Sequence, residues 1–311
     1  MSSSPDPAVA EPAPAPPPFI DAHLHLWDLD RYRYPWLEAP EFAPIRRSYT
    51  AAEWRDDMAG LDVLGTVHVQ AELDHDLDPV LETEWLSEVR SAGAGSPQVP
   101  TVAVAYADLA ARGLDEVLDR HLQYPFVRGI RHEAWYDPAT SRADIASANH
   151  LDDPRWLAGL RRVAARGLVF DLLAWHHQLP QATGIFAGLP GLPVVLEHTG
   201  IPPAADRDQL DCWRRELRSF ADQVPQARLK ISAMNFIARP WTRAVIEPMI
   251  REAIDIFGSS RCMLASNFPV ERPTTAYARL WQEYDAMTAD LSAAERTDLF
   301  AGTARSFYRI S

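Results

Sequence analysis

Cysteine is scarce in this chain, which has only Cys212 and Cys262 among its 311 residues. A disulfide framework is therefore not indicated, and a reducing cytoplasm is the simplest compartment for the protein. Long apolar runs are missing too, since none approaches the roughly 20 residues that a membrane-spanning helix needs. We therefore expect a cytoplasmic protein without a membrane span.

Clusters of basic residues are also missing. The formal net charge is −13 at pH 7, and no segment is rich in lysine and arginine. This composition excludes nucleic acids and anionic membrane surfaces as expected partners. The expected partner is a small-molecule substrate. An acidic substrate is compatible with the negative net charge, because one or two arginines inside a cleft can outweigh the electrostatic field of the whole protein. The sequence leaves open whether the chain forms a homo-oligomer.

Residues 1–18 differ in composition from the rest of the chain. They are rich in alanine, proline and serine, and they lack the basic start and the apolar stretch of a secretory signal. This composition predicts a disordered, polyproline-like tail. Residues 19–311 show no second change in composition and no linker, so we expect them to form one domain.

Within residues 19–311, eight short β-rich segments alternate with amphipathic segments of helical spacing. The predicted strands begin near residues 19, 65, 99, 126, 167, 193, 228 and 261. A capping box at Thr50 and Glu53 opens the first predicted helix, residues 51–63. Regular alternation of this kind predicts an α/β protein with a (β/α)8 TIM-barrel fold.

Two histidines, His23 and His25, belong to the first predicted strand. Side chains alternate between the faces of a strand, so these two residues and Asp21 point to the same side. Two imidazoles side by side at a strand end can bind a divalent metal or hold a polar substrate. The plain alternative is a pair of ordinary surface or capping histidines.

In a barrel of this type the working residues lie at the C-terminal ends of the strands. Polar side chains are frequent at the predicted ends: His23, His25, Gln70, Glu72, Arg131, His132, His176, His177, His198, Ser232 and Asn267. Six of the ten histidines belong to this set, which favours an active site over a chance distribution. Tyr34 lies in an aromatic and basic loop after the first strand, where it would cover the site and contact substrate.

Several of these segments occur in an order that resembles a known group. In chain order they are Asp21-Ala22-His23-Leu24-His25, Val69-Gln70-Ala71-Glu72, Gly129-Ile130-Arg131, Glu197-His198-Thr199-Gly200 and Ser266-Asn267-Phe268-Pro269. Over about residues 19–310 the chain resembles the amidohydrolase-related (amidohydrolase 2) branch of the amidohydrolase superfamily, near the sugar-lactone and 2-pyrone-4,6-dicarboxylate lactonases. The resemblance implies a TIM-barrel hydrolase in which water attacks the carbonyl of a lactone or a related ester.

The resemblance also implies roles for single residues. His23 and His25 match the strand-one pair of the family and His198 matches its later histidine, so these three would bind a divalent metal, with zinc expected. The branch includes metal-free members, in which the histidines would polarise the carbonyl and stabilise the oxyanion directly. Arg131 matches a position that can hold a substrate carboxylate, which suits its planar guanidinium. Gln70 is expected to face the substrate at the barrel mouth.

Asn267 departs from the pattern, because the superfamily usually carries an aspartate there as metal ligand and general base. An amide has no titratable proton near neutrality and binds metals more weakly than a carboxylate. The proton then needs another acceptor, and His176, His177 and Glu271 are the candidates; His177 is also a candidate for binding substrate. Asn267 itself is expected to orient water or the substrate carbonyl.

The leading hypothesis is therefore hydrolysis of a small lactone-like or ester-like substrate, with or without a carboxylate. The rival enzyme hypothesis is non-hydrolytic chemistry on the same barrel, such as decarboxylation, hydration or cyclisation, because Asn267 replaces the usual base. A barrel retained only for ligand binding or assembly is the non-enzymatic alternative, which the cluster of histidines disfavours.

Overall fold

The computed structural model describes residues 15–93, 97–138 and 148–311. Its sheet has eight strands: Phe19–Leu24 (β1), Val63–Val69 (β2), Val102–Tyr106 (β3), Val127–Arg131 (β4), Val169–Leu172 (β5), Val194–Leu196 (β6), Arg228–Ile231 (β7) and Cys262–Leu264 (β8). The strands are parallel and pair in sequence order from β1 to β8.

The barrel closes between its first and last strands just beyond β8. The backbone N–H of Asn267 donates to the carbonyl of His23 at 2.7 Å, and the N–H of His25 donates to that of Phe268 at 2.7 Å. Closure therefore brings the end of β1 directly against the residues that follow β8. This confirms the predicted (β/α)8 barrel.

Helices separate the strands and cover the outside of the barrel. They are Ala51–Asp57 (α1), Val80–Ala92 (α2), Leu114–His121 (α3), Pro154–Ala165 (α4), Leu179–Ala187 (α5), Arg207–Gln223 (α6), Met234–Ile237 (α7), Arg243–Phe257 (α8), Tyr277–Met287 (α9), Ala293–Thr297 (α10) and Thr303–Tyr308 (α11). None of the helices in the described part of the chain has both the length and the apolarity needed to cross a membrane.

The first helix illustrates how local chemistry sets these bounds. Thr50 caps α1, and Glu53 returns to the backbone N–H of Thr50 at 2.8 Å, which completes the predicted capping box. The helix ends at Asp57 instead of continuing to residue 63, and Gly60 follows with a φ of +81°. Glycine adopts this left-handed conformation without a steric penalty, so the chain turns there into β2.

Small and β-branched side chains fill the inside of the barrel. This interior cluster includes Ile20, Ala22, Val67, Val69, Val104 and Val195, and the C-terminal residues Ala304, Tyr308 and Ile310 pack against it. A second apolar cluster lies between the strands and the helices and contains most of the large aromatic side chains. Residues 1–14 of the predicted tail lie outside the described residues, and the division into a tail and one domain stays a prediction.

Candidate active site

The two histidines of the first strand meet at the C-terminal end of the barrel. Nε2 of His23 lies 3.0 Å from Nε2 of His25, and both side chains are buried. Their shared direction is the one expected from strand alternation. The structure thus brings this pair together inside the barrel and not on its surface.

His198 and Asn267 lie next to this pair at the same end of the barrel. The ring of His198, after β6, lies 4.9 Å from that of His23, and its Nδ1 is 2.9 Å from the Ser232 hydroxyl. Oδ1 of Asn267, after β8, lies 3.3 Å from Nε2 of His25. His198 and Asn267 have φ values of +56° and +55°. Non-glycine residues rarely adopt such angles, and those that do cluster at functional sites.

A buried carboxylate, Glu197, stands behind the histidines. Its Oε1 lies 3.0 Å from Nδ1 of His23, and its Oε2 accepts a hydrogen bond from Arg131 at 3.2 Å. Lys230 lies 3.5 Å from Oε1 and donates to Asp171 at 2.5 Å. Burial by itself would raise the pKa of Glu197, but His23, Arg131 and Lys230 together hold that pKa well below its ordinary value.

Sequence patterns did not indicate that Glu197, Lys230 and Asp171 belong to the site. One signal was available for Lys230, because it is the sole lysine of the chain and lies between the apolar residues Leu229 and Ile231 of a strand. A charged side chain in such a place needs partners, since burying an unpaired charge is costly. Glu197 shares a motif with His198, and only the barrel geometry shows its contact with His23.

The three histidines of the site are neutral at pH 7. Burial, with help from the nearby Arg131 and His68, lowers the pKa of His25 to about 3. Burial also lowers the pKa of His198 to about 4 and that of His23 well below its usual range. Neutral imidazoles have a free lone pair, which is required both for binding a metal and for accepting a proton.

The hydrogen bonds of His25 indicate whether its ring can bind a metal ion. Nδ1 of His25 lies 2.8 Å from the carbonyl of Val69, which can only accept, so Nδ1 carries the proton and Nε2 carries a lone pair. That lone pair faces Nε2 of His23 and Oδ1 of Asn267. A proton or a cation between these atoms satisfies all of them, and a carboxylate behind a metal-binding imidazole is a common arrangement.

Nδ1 of His23 lies near both Glu197 and Lys230. A hydrogen bond to Glu197 suits a site with a bound cation, and a hydrogen bond from Lys230 suits a site without one. With Glu197 at 3.0 Å as acceptor, Nε2 of His23 is free to bind a cation, and Nε2 of His25 lies 3.0 Å away from it. The group whose ligand atoms all lie within 4.8 Å of one another consists of His23, Glu197 and His198, so Glu197 joins two of the predicted ligands there. With Lys230 at 3.3 Å as donor, Nε2 of His23 carries the proton and donates to His25 instead. Nitrogen ligands of this kind fit zinc, so the predicted ligands are compatible with the expected ion.

Two of the three histidines, His25 and His198, form the base of a cavity of about 390 Å³, and His23 lies behind them. Charged and polar residues on its wall are Glu72, His75, Asp108, Arg131, His132, Glu133 and His150, and aromatic ones are Trp36, Phe42, Tyr106, Trp135 and Phe236. His25, His198 and Asn267 also line this space. A small molecule entering the cavity therefore reaches the lone pairs at its base.

Arg131 and Gln70 lie beside the site but are engaged with protein groups. Arg131 donates to Glu197 and also to the backbone carbonyl of Gln70 at 2.7 Å. The side chain of Gln70 contacts Glu72 and does not line the cavity. The predicted contacts of Arg131 and Gln70 with substrate stay predictions.

Four other predicted residues are not brought to the cavity. Nε2 of His176 lies 3.0 Å from Gln209, while His177 is exposed and its Nε2 lies 3.3 Å from a backbone carbonyl. Tyr34 is buried beside Trp27. Burial raises the pKa of Glu271 to about 8, so this carboxyl is mostly protonated at pH 7 and does not suit the role of proton acceptor.

Comparison with known proteins extends over nearly the whole chain. An amidohydrolase family model matches residues 20–310. The chain is 30% identical over 298 residues to an uncharacterized protein, y4mH, of Sinorhizobium fredii, covering 94% of this chain and 98% of that protein. It is also 30% identical over 308 residues to an L-fucono-1,5-lactonase of Burkholderia multivorans, covering 94% and 96%.

A solved structure agrees with these relationships. An amidohydrolase from Burkholderia multivorans with bound zinc superposes with a TM-score of 0.78 at 29% identity, covering 94% of this chain and all of that one. The ordered motifs, the barrel and the histidine site lead to the same assignment. The chain belongs to the amidohydrolase family whose model spans residues 20–310, and it is an enzyme of the amidohydrolase superfamily.

Proposed function

We propose that the protein hydrolyses the ester bond of a small lactone that carries several hydroxyl groups, as a sugar lactone does. The observation that carries the proposal is a cluster of neutral histidines at the base of a cavity whose only lining arginine, among the described residues, is already surrounded by carboxylates. The similarity to an L-fucono-1,5-lactonase over nearly the whole chain supports it.

The residues at the base of the cavity have different roles in the proposed reaction. His25, His198 and Asn267 line the same cavity, and in this proposal they contact the substrate carbonyl. Glu197 and Ser232 hold the rings of His23 and His198 in place, which keeps their lone pairs directed inward. His23, His25 and His198 would hold a divalent metal, which when bound would supply polarisation of the carbonyl and a water of lowered pKa.

The charges around Arg131 favour a substrate without a carboxylate. Its guanidinium lies 3.2 Å from Glu197, 3.3 Å from Glu133 and 4.0 Å from Glu72. Glu72 and Glu197 have lowered pKa values and are ionised at pH 7, so these two alone leave no excess positive charge for an anionic substrate. Carboxylates accept hydrogen bonds from hydroxyl groups, and the aromatic wall offers apolar surface to a sugar ring.

Substrate preference tests this reading. We expect kcat/KM for a neutral hydroxylated δ-lactone to exceed that for a lactone bearing a carboxylate by at least about tenfold, because like charges brought together in a site cost several kcal/mol. Steady-state rates on the two lactones, with the hydroxy acid identified as product, provide the measurement. A preference for the carboxylate-bearing lactone would favour the original prediction for Arg131, and release of carbon dioxide would favour the rival decarboxylase.

Asn267 gives a second test of the site. Asn267→Asp places a carboxylate next to Nε2 of His25, so we expect the affinity for zinc to rise by about 10- to 100-fold, the range seen when groups around metal ligands are changed. Equilibrium dialysis followed by metal analysis measures the dissociation constant, and lactone turnover is followed on the same samples. If neither zinc affinity nor turnover changes, Asn267 is peripheral to the chemistry.

A further inference from the structure

One carboxyl group on the cavity wall has no role in the function described so far. Glu133 lies two residues beyond the end of β4, and its side chain is 15% exposed, toward the cavity. Its Oε1 is 3.3 Å from the Arg131 guanidinium, and its Oε2 accepts a hydrogen bond from the indole of Trp135 at 2.9 Å. The group is therefore fixed in position while it remains in contact with a bound molecule.

The charges around Glu133 do not balance if every carboxylate is ionised. Four carboxylates share the polar interior at this end of the barrel: Glu72, Glu133, Asp171 and Glu197. Two permanent cations face them, Arg131 and Lys230, and Lys230 is engaged with Asp171 and Glu197. One further partner, His75, lies 2.9 Å from Glu72. Among the residues that the structure describes, one negative charge is thus in excess, and Glu133 shares Arg131 with Glu72 and Glu197.

Within the described part of the chain, the other titratable groups of the wall do not supply a further cation. Burial and the neighbouring His150 lower the pKa of His132 to about 4, and burial lowers that of His150 as well, so both are neutral at pH 7. Asp108 adds a further negative charge and is largely solvated. Consistent with this balance, burial and the nearby Glu72 raise the pKa of Glu133 well above its ordinary value, against the opposing effect of Arg131.

We propose that Glu133 is the general acid that protonates the ring oxygen as the lactone opens. This inference rests on the proposed function. Water adds its oxygen to the carbonyl carbon and releases one proton to solvent through the cavity mouth. The bond between that carbon and the ring oxygen breaks, its electron pair stays on the ring oxygen, and the proton of Glu133 moves there. Glu133 regains a proton from solvent, and the product is a hydroxy acid.

A comparison of leaving groups tests the step. The alkoxide released by a lactone is strongly basic and needs a proton, whereas the phenolate released by 4-nitrophenyl acetate does not. We expect Glu133→Gln to lower kcat for the lactone by about 100-fold or more with little change in KM, in line with losses of a general acid. Hydrolysis of 4-nitrophenyl acetate is expected to stay within threefold. Equal losses on both substrates, or a change confined to KM, overturn the proposal.

The pH dependence of the lactone rate provides a further test, because a purely structural role of Glu133 would leave that dependence unchanged. Only the protonated acid can donate, so the wild-type lactone rate is expected to fall as the pH rises through the pKa of Glu133. This alkaline limb is expected to disappear in Glu133→Gln. Glu283→Gln is the matched control, because Glu283 is a buried carboxylate that contacts Arg243 and lies away from the cavity. Its rates and pH profile are expected to equal those of the wild type.

Infrared spectroscopy tests whether the Glu133 carboxyl group is protonated, and it requires no substrate turnover. The difference spectrum between wild type and Glu133→Gln at pH 7 is expected to contain the C=O stretch of a protonated carboxylic acid. The absence of that band overturns the proposal. A wild-type protein that shows the band but hydrolyses no lactone overturns the proposed function. A protein that hydrolyses lactones but lacks the band overturns only the role of Glu133, so the two failures are distinguishable.

Discussion

Replacement of His198 by alanine is expected to lower kcat for a hydroxylated lactone by at least about 100-fold, as does the loss of one group at other sites that stabilise an oxyanion. His198 lines the cavity and is held at 2.9 Å by Ser232, so it is positioned before substrate arrives. His23→Ala is expected to cause a similar loss, because His25 and Glu197 both contact His23 directly. Steady-state kinetics with metal analysis on the same samples measure both variants.

A matched control separates the site from the general effect of removing a buried imidazole. His121 is fully buried, contacts Thr83 at 2.9 Å and does not line the cavity. We expect His121→Ala to lower the melting temperature while kcat stays within about twofold of wild type, because its ring contacts the Thr83 hydroxyl and the Tyr106 backbone carbonyl and does not reach the histidines of the site. Unchanged turnover in both His198→Ala and His23→Ala would remove the proposed site.

Replacement of Lys230 by methionine is expected to lower the free energy of unfolding by about 3–5 kcal/mol, as is typical when one partner of a buried ion pair is removed. Lys230 is fully buried and faces Asp171 at 2.5 Å and Glu197 at 3.5 Å. The variant leaves two buried carboxylates with one cation fewer. Tyr308 donates to Asp171 at 2.8 Å, so the effect is expected to extend to the C-terminal helix α11.

Urea denaturation measures this decrease in the free energy of unfolding. Two further variants show whether it arises from the buried charges. Arg31→Met removes an exposed ion pair with Glu88 and is expected to cost less than about 1 kcal/mol. The double variant Lys230→Met/Asp171→Asn is expected to be more stable than Lys230→Met, because it removes one uncompensated charge. A loss below 1 kcal/mol for Lys230→Met would show that the buried network does not hold the barrel interior together.

Local sequence patterns were sufficient to predict the architecture of the protein. Strand and helix periods depend on neighbouring residues, so the alternation along residues 19–311 predicted the barrel, and Thr50 with Glu53 predicted the start of α1. The spacing of His23 and His25 predicted their shared face for the same reason. The end of α1 was predicted six residues too late, because its amphipathic pattern continues beyond Asp57 although the helix does not.

The positions of other strand-end residues did not follow from the sequence. His176 and His177 come after β5, but a short 3-10 helix of residues His176–Gln178 carries both away from the cavity. Tyr34 packs into the loop beside Trp27 instead of reaching the mouth. The position of a side chain beyond a strand depends on how its loop packs, and neighbouring residues do not determine that packing.

By itself the sequence determined the (β/α)8 barrel, the family and the histidines that mark the site. Only the tertiary structure decided that Glu197 stands behind His23, that carboxylates surround Arg131 and that Glu133 faces the cavity. These groups come from strands far apart in the chain, and barrel closure sets the distances between them. Electrostatic interactions depend on those distances and on burial, so the charge balance of the site is a property of the folded barrel.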